Sequence, residues 1–177
     1  MALIVEDGTG LDNAEAYASV ANADTHLAAR GFILWATMST AEKEQALRRS
    51  TDYMRQVYRL RWAGARTVID QALDWPRSWV PRRDWSQVEW SWGASYYEAN
   101  IVPPEVVRAN IDLAYKAAGG ELTPTIERRT VREKVDVIEV EYDRNSPQFP
   151  VYKAIDDTLA VFFKTIGTGL NRPVVRV

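Results

Sequence analysis

The chain has no cysteine among its 177 residues and only one histidine. The first absence excludes disulfides and thiolate metal sites, and fits assembly in a reducing compartment. Both absences together remove most nucleophilic and zinc mechanisms, which depend on a thiolate or on several imidazoles. Charge of either sign is not in surplus: 22 basic and 24 acidic residues leave a formal net charge of −2. No whole-protein pull toward nucleic acid is expected, so any affinity for DNA must come from a local patch. No apolar run approaches the roughly 20 residues of a membrane span. The start, Met1 to Asp7, lacks the charge pattern of a signal peptide, and a soluble product of the cytoplasm without membrane contact is expected. Catalytic motifs are missing as well: the sequence holds no phosphate loop, no G-x-S-x-G, no H-E-x-x-H, no EF-hand spacing and no kinase-type glycine loop. Gly8-Thr9-Gly10 is too short to cradle a phosphate. A hydrolase built from carboxylates alone is conceivable, but no pair stands out. An interaction protein with no catalytic residue, metal or cofactor is the better expectation.

What the chain has is tryptophan. Six of its seven lie between Trp62 and Trp92, around Gln71-Ala72-Leu73-Asp74-Trp75-Pro76-Arg77. Each indole can bury about 200 Å², so several in one loop require helices from elsewhere to cover them. Trp75 precedes a proline, which disfavours helix there. The stretch is expected to be the hub of the fold, with its rings in the core. Two other uses stay open: some rings could form a contact between copies of the protein. The alternation of Trp75, Arg77, Trp79, Arg82, Arg83 and Trp85 could also stack bases and neutralise phosphates of single-stranded nucleic acid.

Elsewhere the pattern is helical. Leu3-Ile4-Val5 is β-prone and stopped by Asp7-Gly8-Thr9-Gly10. Ser19 can cap a short helix over about 20–30, ended by Gly31; His26 lies in it as a packed or surface imidazole. Ser39 with Glu42 is a capping box that starts a helix running to about Arg59, with Leu47, Ser50, Met54 and Val57 in its buried stripe. Pro103-Pro104 opens another, running to about Ala118, expected to be the most buried. Thr130 to Val135 and Ile138 to Tyr142 read as two strands of a hairpin that is marginal alone and should pair with something. Val151 to about Ile166 reads as a final helix, followed by a Gly167-Thr168-Gly169 hinge and a β-prone end suited to strand addition. The fold class is therefore mainly α: a small bundle of about four helices with a β-hairpin. Residues 1–166 are read as one domain, with a Trp-rich loop at 62–100 and a hairpin at 130–142, and residues 167–177 as an extended arm.

These motifs, in this order, resemble a known family. Ala2 to Gly10 followed by Ala16-Tyr17-Ala18-Ser19-Val20 is similar to the opening of tailed-phage head-tail adaptor proteins, a group often labelled DnaT-like single-stranded-DNA-binding proteins. The likeness continues through Ala29-Arg30-Gly31, Ala46 to Tyr53, Gln71 to Arg77, Ile101-Val102-Pro103-Pro104, Glu133-Lys134-Val135 and Val140-Glu141-Tyr142. The departure is Trp79 to Asn100, where relatives have a shorter loop and this chain places Trp85, Trp90, Trp92, Tyr96 and Tyr97. The resemblance implies a homo-oligomeric ring, commonly of twelve copies, below the portal protein of a capsid at the virion neck. The ring would join the portal to a stopper or tail-completion protein and let genomic DNA pass without tight binding. It implies portal contact by the arm, through Leu170, Arg172, Val174, Val175 and Val177. Contact with neighbouring subunits or the stopper falls to Val131, Val135, Ile138, Val140 and Tyr142. Glu139, Glu141 and Asp143 could line an acidic lumen that phosphates do not adhere to. The label carried by the group keeps a replication-type single-stranded-DNA-binding protein as the alternative.

Overall fold

A computed structural model describes residues 2–83, 96–123 and 151–164, and the backbone of 132–135 and 138–141. The protein is mainly helical with a small antiparallel hairpin. In chain order come α1 (Val20–Ala28), α2 (Ile33–Thr37), α3 (Thr40–Tyr58), β1 (Ala65–Arg66), β2 (Arg77–Ser78), α4 (Pro104–Ala118), β3 (Arg132–Val135), β4 (Ile138–Glu141) and α5 (Lys153–Leu159). A 3₁₀ turn, Ala160–Phe162, follows α5.

Local chemistry sets the helix ends. The Ser39 hydroxyl accepts from the Glu42 N–H at 3.3 Å, and the Glu42 carboxylate accepts from the Ser39 N–H at 2.7 Å. Two donors that the first turn leaves orphaned are thereby satisfied. Ser19 caps α1 in the same way, accepting from the Asn22 N–H at 3.1 Å. The prolines start α4 where no N–H is missed. The pair α3 and α4 forms the centre. Their contact contains one buried polar node: the Asn110 amide donates to Ser50 Oγ at 2.6 Å and to Thr51 Oγ1 at 2.9 Å. Both hydroxyls in turn donate to the Leu47 carbonyl. Around the node, one apolar cluster gathers Trp35, Leu27, Leu47, Ile111 and Ala114 among α1 to α4. A second, larger one surrounds Trp75.

Three elements differ from expectation. Leu3-Ile4-Val5 makes a single parallel bridge, Val5 to Ala16, rather than a strand, and its backbone bonds go to Glu15 and Ala16. The five residues of α2 carry too short a periodicity to be seen in the sequence; Trp35 anchors them, with its indole N–H donating to Asp24 at 2.7 Å. The last helix stops well before Ile166. After the 3₁₀ turn Phe163 is extended and bridged to Trp62, with Ala63 N–H donating to the Phe162 carbonyl at 2.9 Å and Lys164 N–H to the Arg61 carbonyl at 2.7 Å. Those backbone bonds replace the next helical turn. Tyr152, Ile155, Leu159 and Phe162 still face the core or its edge, as the apolar stripe predicts.

Candidate functional site

The tryptophan hub is built from the inside out. Trp62 and Trp75 meet edge to face at 5.7 Å, and Phe162 and Phe163 from the chain's far end close over them at 5.4 Å from Trp75 and 5.2 Å from Trp62. Tyr58 at the end of α3 completes the group. The indole N–H groups of Trp62 and Trp75 find no acceptor, so both rings contribute as hydrocarbon.

The loop that carries Trp75 is held by its own polar residues. Gln71 donates to the Leu73 and Pro76 carbonyls at 2.8 and 3.1 Å and accepts from the Val68 N–H at 2.8 Å. Tyr17 reaches in from the N-terminal segment, its hydroxyl accepting from the N–H of Asp74 at 3.0 Å and of Trp75 at 3.3 Å. Arg77 is buried and donates to three backbone carbonyls: Ala63 at 2.8 Å, Asp74 at 3.0 Å and Gly64 at 2.9 Å. Burial pushes its pKa down, and the Asp74 carboxylate pulls it back up. Asp74 is itself buried. Burial raises its carboxyl pKa against the fields of Arg59, Arg77 and Arg55, and Arg59 Nε lies 3.2 Å from Oδ1 without the alignment of a hydrogen bond. The hub is a folding device: its buried base is spent on three backbone carbonyls, and its buried acid sits in the field of Arg59, Arg77 and Arg55.

This placement corrects the base-stacking platform. Trp75 and Arg77 are in the core and cannot meet a ligand. Trp79 is different: it is 71% exposed, stands edge to face with Tyr96 at 5.7 Å, and is the only non-glycine residue with positive φ among the described residues, at 63°. Such a backbone is a genuine outlier for a bulky side chain. The backbone beside it runs close to Gly64, where a Cβ would stand 2.1 Å from the Ser78 carbonyl oxygen and 3.0 Å from the Trp79 carbonyl carbon. Arg82 lies over the Tyr97 ring at 5.1 Å, and Arg83 donates to the Phe163 carbonyl. Trp85, Trp90 and Trp92 lie outside the described residues.

The glycine loop near the start binds an anion after all, but its own. The buried Glu6 carboxylate accepts from the N–H groups of Gly8 at 2.9 Å, Gly10 at 2.8 Å and Leu11 at 3.0 Å. That leaves those donors no phosphate to receive. His26 Nε2 lies 3.0 Å from Asp112 Oδ1, tying α1 to α4. Among the described residues no three metal-ligating side chains come together, and no helix is long and apolar enough to cross a membrane.

Of the residues assigned from resemblance, Leu170, Arg172, Val174, Val175 and Val177 lie outside the described residues, as do Val131, Tyr142 and Asp143. Val135, Ile138, Glu139, Val140 and Glu141 lie in the hairpin. Its register sets Val135 across from Ile138, Glu133 across from Val140, Lys134 across from Glu139 and Arg132 across from Glu141. Each acidic position of β4 thus has a basic cross-strand neighbour, which the sequence pattern of one strand did not reveal. Among the described residues the two strands pair only with each other.

Buried tyrosines give the fold a measurable alkaline limit. Burial is the main cause that raises the hydroxyl pKa of both Tyr17 and Tyr58 above the ordinary 10.0. Below that value both states are neutral and nothing is lost. As pH rises through it, the unfolded chain ionises first, and each tyrosine withdraws about 1.4 kcal/mol of stability per pH unit. Denaturant midpoints are expected to hold up to about pH 9 and fall steeply by about pH 11. Tyr53 and Tyr152 are raised in the same direction by burial, so Tyr58→Phe should remove only part of that slope.

A mainly helical protein, with its polar hub internalised and an exposed Trp79 of positive φ outside, is what the structure defines. The chain belongs to the family described as "Putative DnaT-like ssDNA binding protein", which it matches over residues 1–177. No curated protein and no solved structure matches it.

Proposed function

We propose that the protein is a structural head-tail adaptor of a tailed bacteriophage, forming a ring beneath the portal and joining it to the stopper or tail. The observation that carries this reading is the fate of the Trp/Arg stretch: Trp62, Trp75 and Arg77 are consumed inside the fold, which leaves Trp79 as its one exposed indole among the described residues. Leu60, Ile69 and Ile33 are exposed besides Trp79. A hairpin whose strands pair only with each other, among the described residues, supports the same reading, since two strands alone are marginal in water. Portal contact falls to the arm, 167–177, and subunit contact to the hairpin. The basic partners across from Glu139 and Glu141 mean that an acidic lumen would draw mainly on residues outside those pairs.

The family description favours a second reading, a single-stranded-DNA-binding protein, and Trp79 with Arg82 and Arg83 is the surface on which it would rest. Deletion of 167–177 separates the two. Cosedimentation with portal-bearing heads is expected to vanish in the truncated protein, while tryptophan fluorescence of the intact protein stays unquenched by an oligonucleotide at physiological salt. Retained sedimentation would remove the arm's role. Salt-sensitive quenching would favour the second reading.

A further inference from the structure

We infer that the Gly8–Leu11 loop is a carboxylate-binding site whose resident ligand, Glu6, latches three segments together: the N-terminal run, the turn that displays Ile69, and the approach to α4. This latch is independent of both the adaptor and the single-stranded-DNA readings. Glu6 is 4% exposed and has no basic partner among the described residues. A buried carboxylate without compensation would be costly. Here the compensation is entirely backbone: Oε1 accepts from the N–H groups of Gly8 and Gly10 at 2.9 and 2.8 Å, and Oε2 from that of Leu11 at 3.0 Å. Main-chain N–H groups turned inward in this way form an anion-binding concavity. Gly8 and Gly10 take φ of 100° and 81°, a region that favours glycine. Both glycines thus shape the seat.

The seat reaches beyond its own loop. A Cβ at Gly8 would stand 2.1 Å from the Asn100 carbonyl oxygen and 3.3 Å from Ile101 Cα, so the loop lies directly against the chain that leads into α4. A Cβ at Gly10 would stand 2.8 Å from Val68 Cγ2, and the Leu11 carbonyl accepts from the Ala72 N–H at 2.8 Å. The turn held there carries Ile69, 85% exposed, and is braced by Arg66, which donates to the Gln71 and Ile69 carbonyls. The Glu6 N–H itself donates to the Ala16 carbonyl at 2.9 Å. One carboxylate therefore joins an exposed apolar tip to the start of the central helix pair. Its neighbour sets the selectivity. The exposed Asp7 carboxylate accepts from the Thr9 N–H at 2.9 Å and the Thr9 hydroxyl at 2.6 Å, which takes the loop's remaining donor. A phosphate would find no fourth N–H and would meet the Asp7 charge, whereas a carboxylate needs only the three.

Backbone hydrogen exchange with and without added acetate tests this. In Glu6→Ala the Gly8, Gly10 and Leu11 amides are expected to exchange at least about tenfold faster than in wild type, since each loses a bond to a charged acceptor. Ala72, and Val106 in the first turn of α4, should follow in the same direction, while the middle of α3 holds. Acetate reproduces the atoms removed and should restore slow exchange; chloride at equal ionic strength and inorganic phosphate should not. Wild type should ignore acetate, because the tethered Glu6 outcompetes it. Gly8→Ala breaks the seat but leaves the carboxylate, so it should loosen the same amides without responding to acetate. Glu6→Gln carries the test if Glu6→Ala does not fold: one amide oxygen can keep Gly8 and Gly10, so Leu11 alone should exchange faster. Faster exchange confined to the loop, with Ala72 and Val106 unchanged, overturns the latch. Rescue that fails with acetate, or succeeds equally with chloride or phosphate, overturns the carboxylate site, as does a Glu6→Gln protein in which all three amides behave alike.

Discussion

Trp75→Ala is expected to destabilise the protein by about 3–5 kcal/mol, the range for removing a large aromatic from a packed core. Small domains are stable by only about 5–15 kcal/mol, so the variant should lose a third or more of a typical margin and melt at a clearly lower denaturant concentration. The ring is fully buried and touches Trp62 and Phe162 edge to face. Its removal therefore opens a cavity between the loop and the far end of the chain, and neither wall can collapse independently. Trp75→Phe sharpens the test. It keeps most of the ring and deletes an indole N–H that has no acceptor, whose burial costs about 1–3 kcal/mol. Phenylalanine should cost far less than alanine in a denaturant melt; equal losses would mean that the N–H is satisfied in solution.

Arg77→Met should be nearly as damaging, by about 3–5 kcal/mol. Methionine fills much of the volume but strips donors from the Ala63, Gly64 and Asp74 carbonyls and leaves the Asp74 carboxylate with less opposing charge. Arg77→Lys should recover little, because one ammonium cannot span three acceptors held in a fork. Asp74 adds a signature in pH. Its folded pKa is raised above 3.8 by burial, so its charge costs stability at neutral pH. That cost is relieved as pH falls through the raised value toward 3.8. Asp7, Glu15 and Glu42, with lowered pKa values, act in the opposite sense, so the test is the difference: wild type should gain on Asp74→Asn as pH falls over that window, and a difference that stays flat or shrinks would contradict the assigned direction.

Signals carried within one turn were legible in the sequence. The Ser39 and Glu42 box, the Ser19 cap and the Pro103-Pro104 start all form as read, since each depends on residues no more than three apart. The hairpin strands also fall within the residues expected of them. Signals that depend on distant chain were not. Trp75 and Trp79 are four residues apart in one alternating pattern, yet one is core and the other surface: Trp62 and Phe162 pack on the first, and the second meets Tyr96. Arg77 read as a cation for phosphates; its three acceptors come from the turn it closes. The premature end of α5 follows from a bridge to Trp62, about a hundred residues earlier. The carboxylate that fills the Gly8 to Leu11 loop sits only two residues upstream at Glu6 and was available to be seen.

Electron microscopy of portal-bearing heads incubated with the purified protein tests the proposed role most directly. A ring of density seated on the portal, built from copies of this chain around an open channel, is the predicted result. Bare portals at saturating protein, with the same sample coating single-stranded DNA, would contradict it.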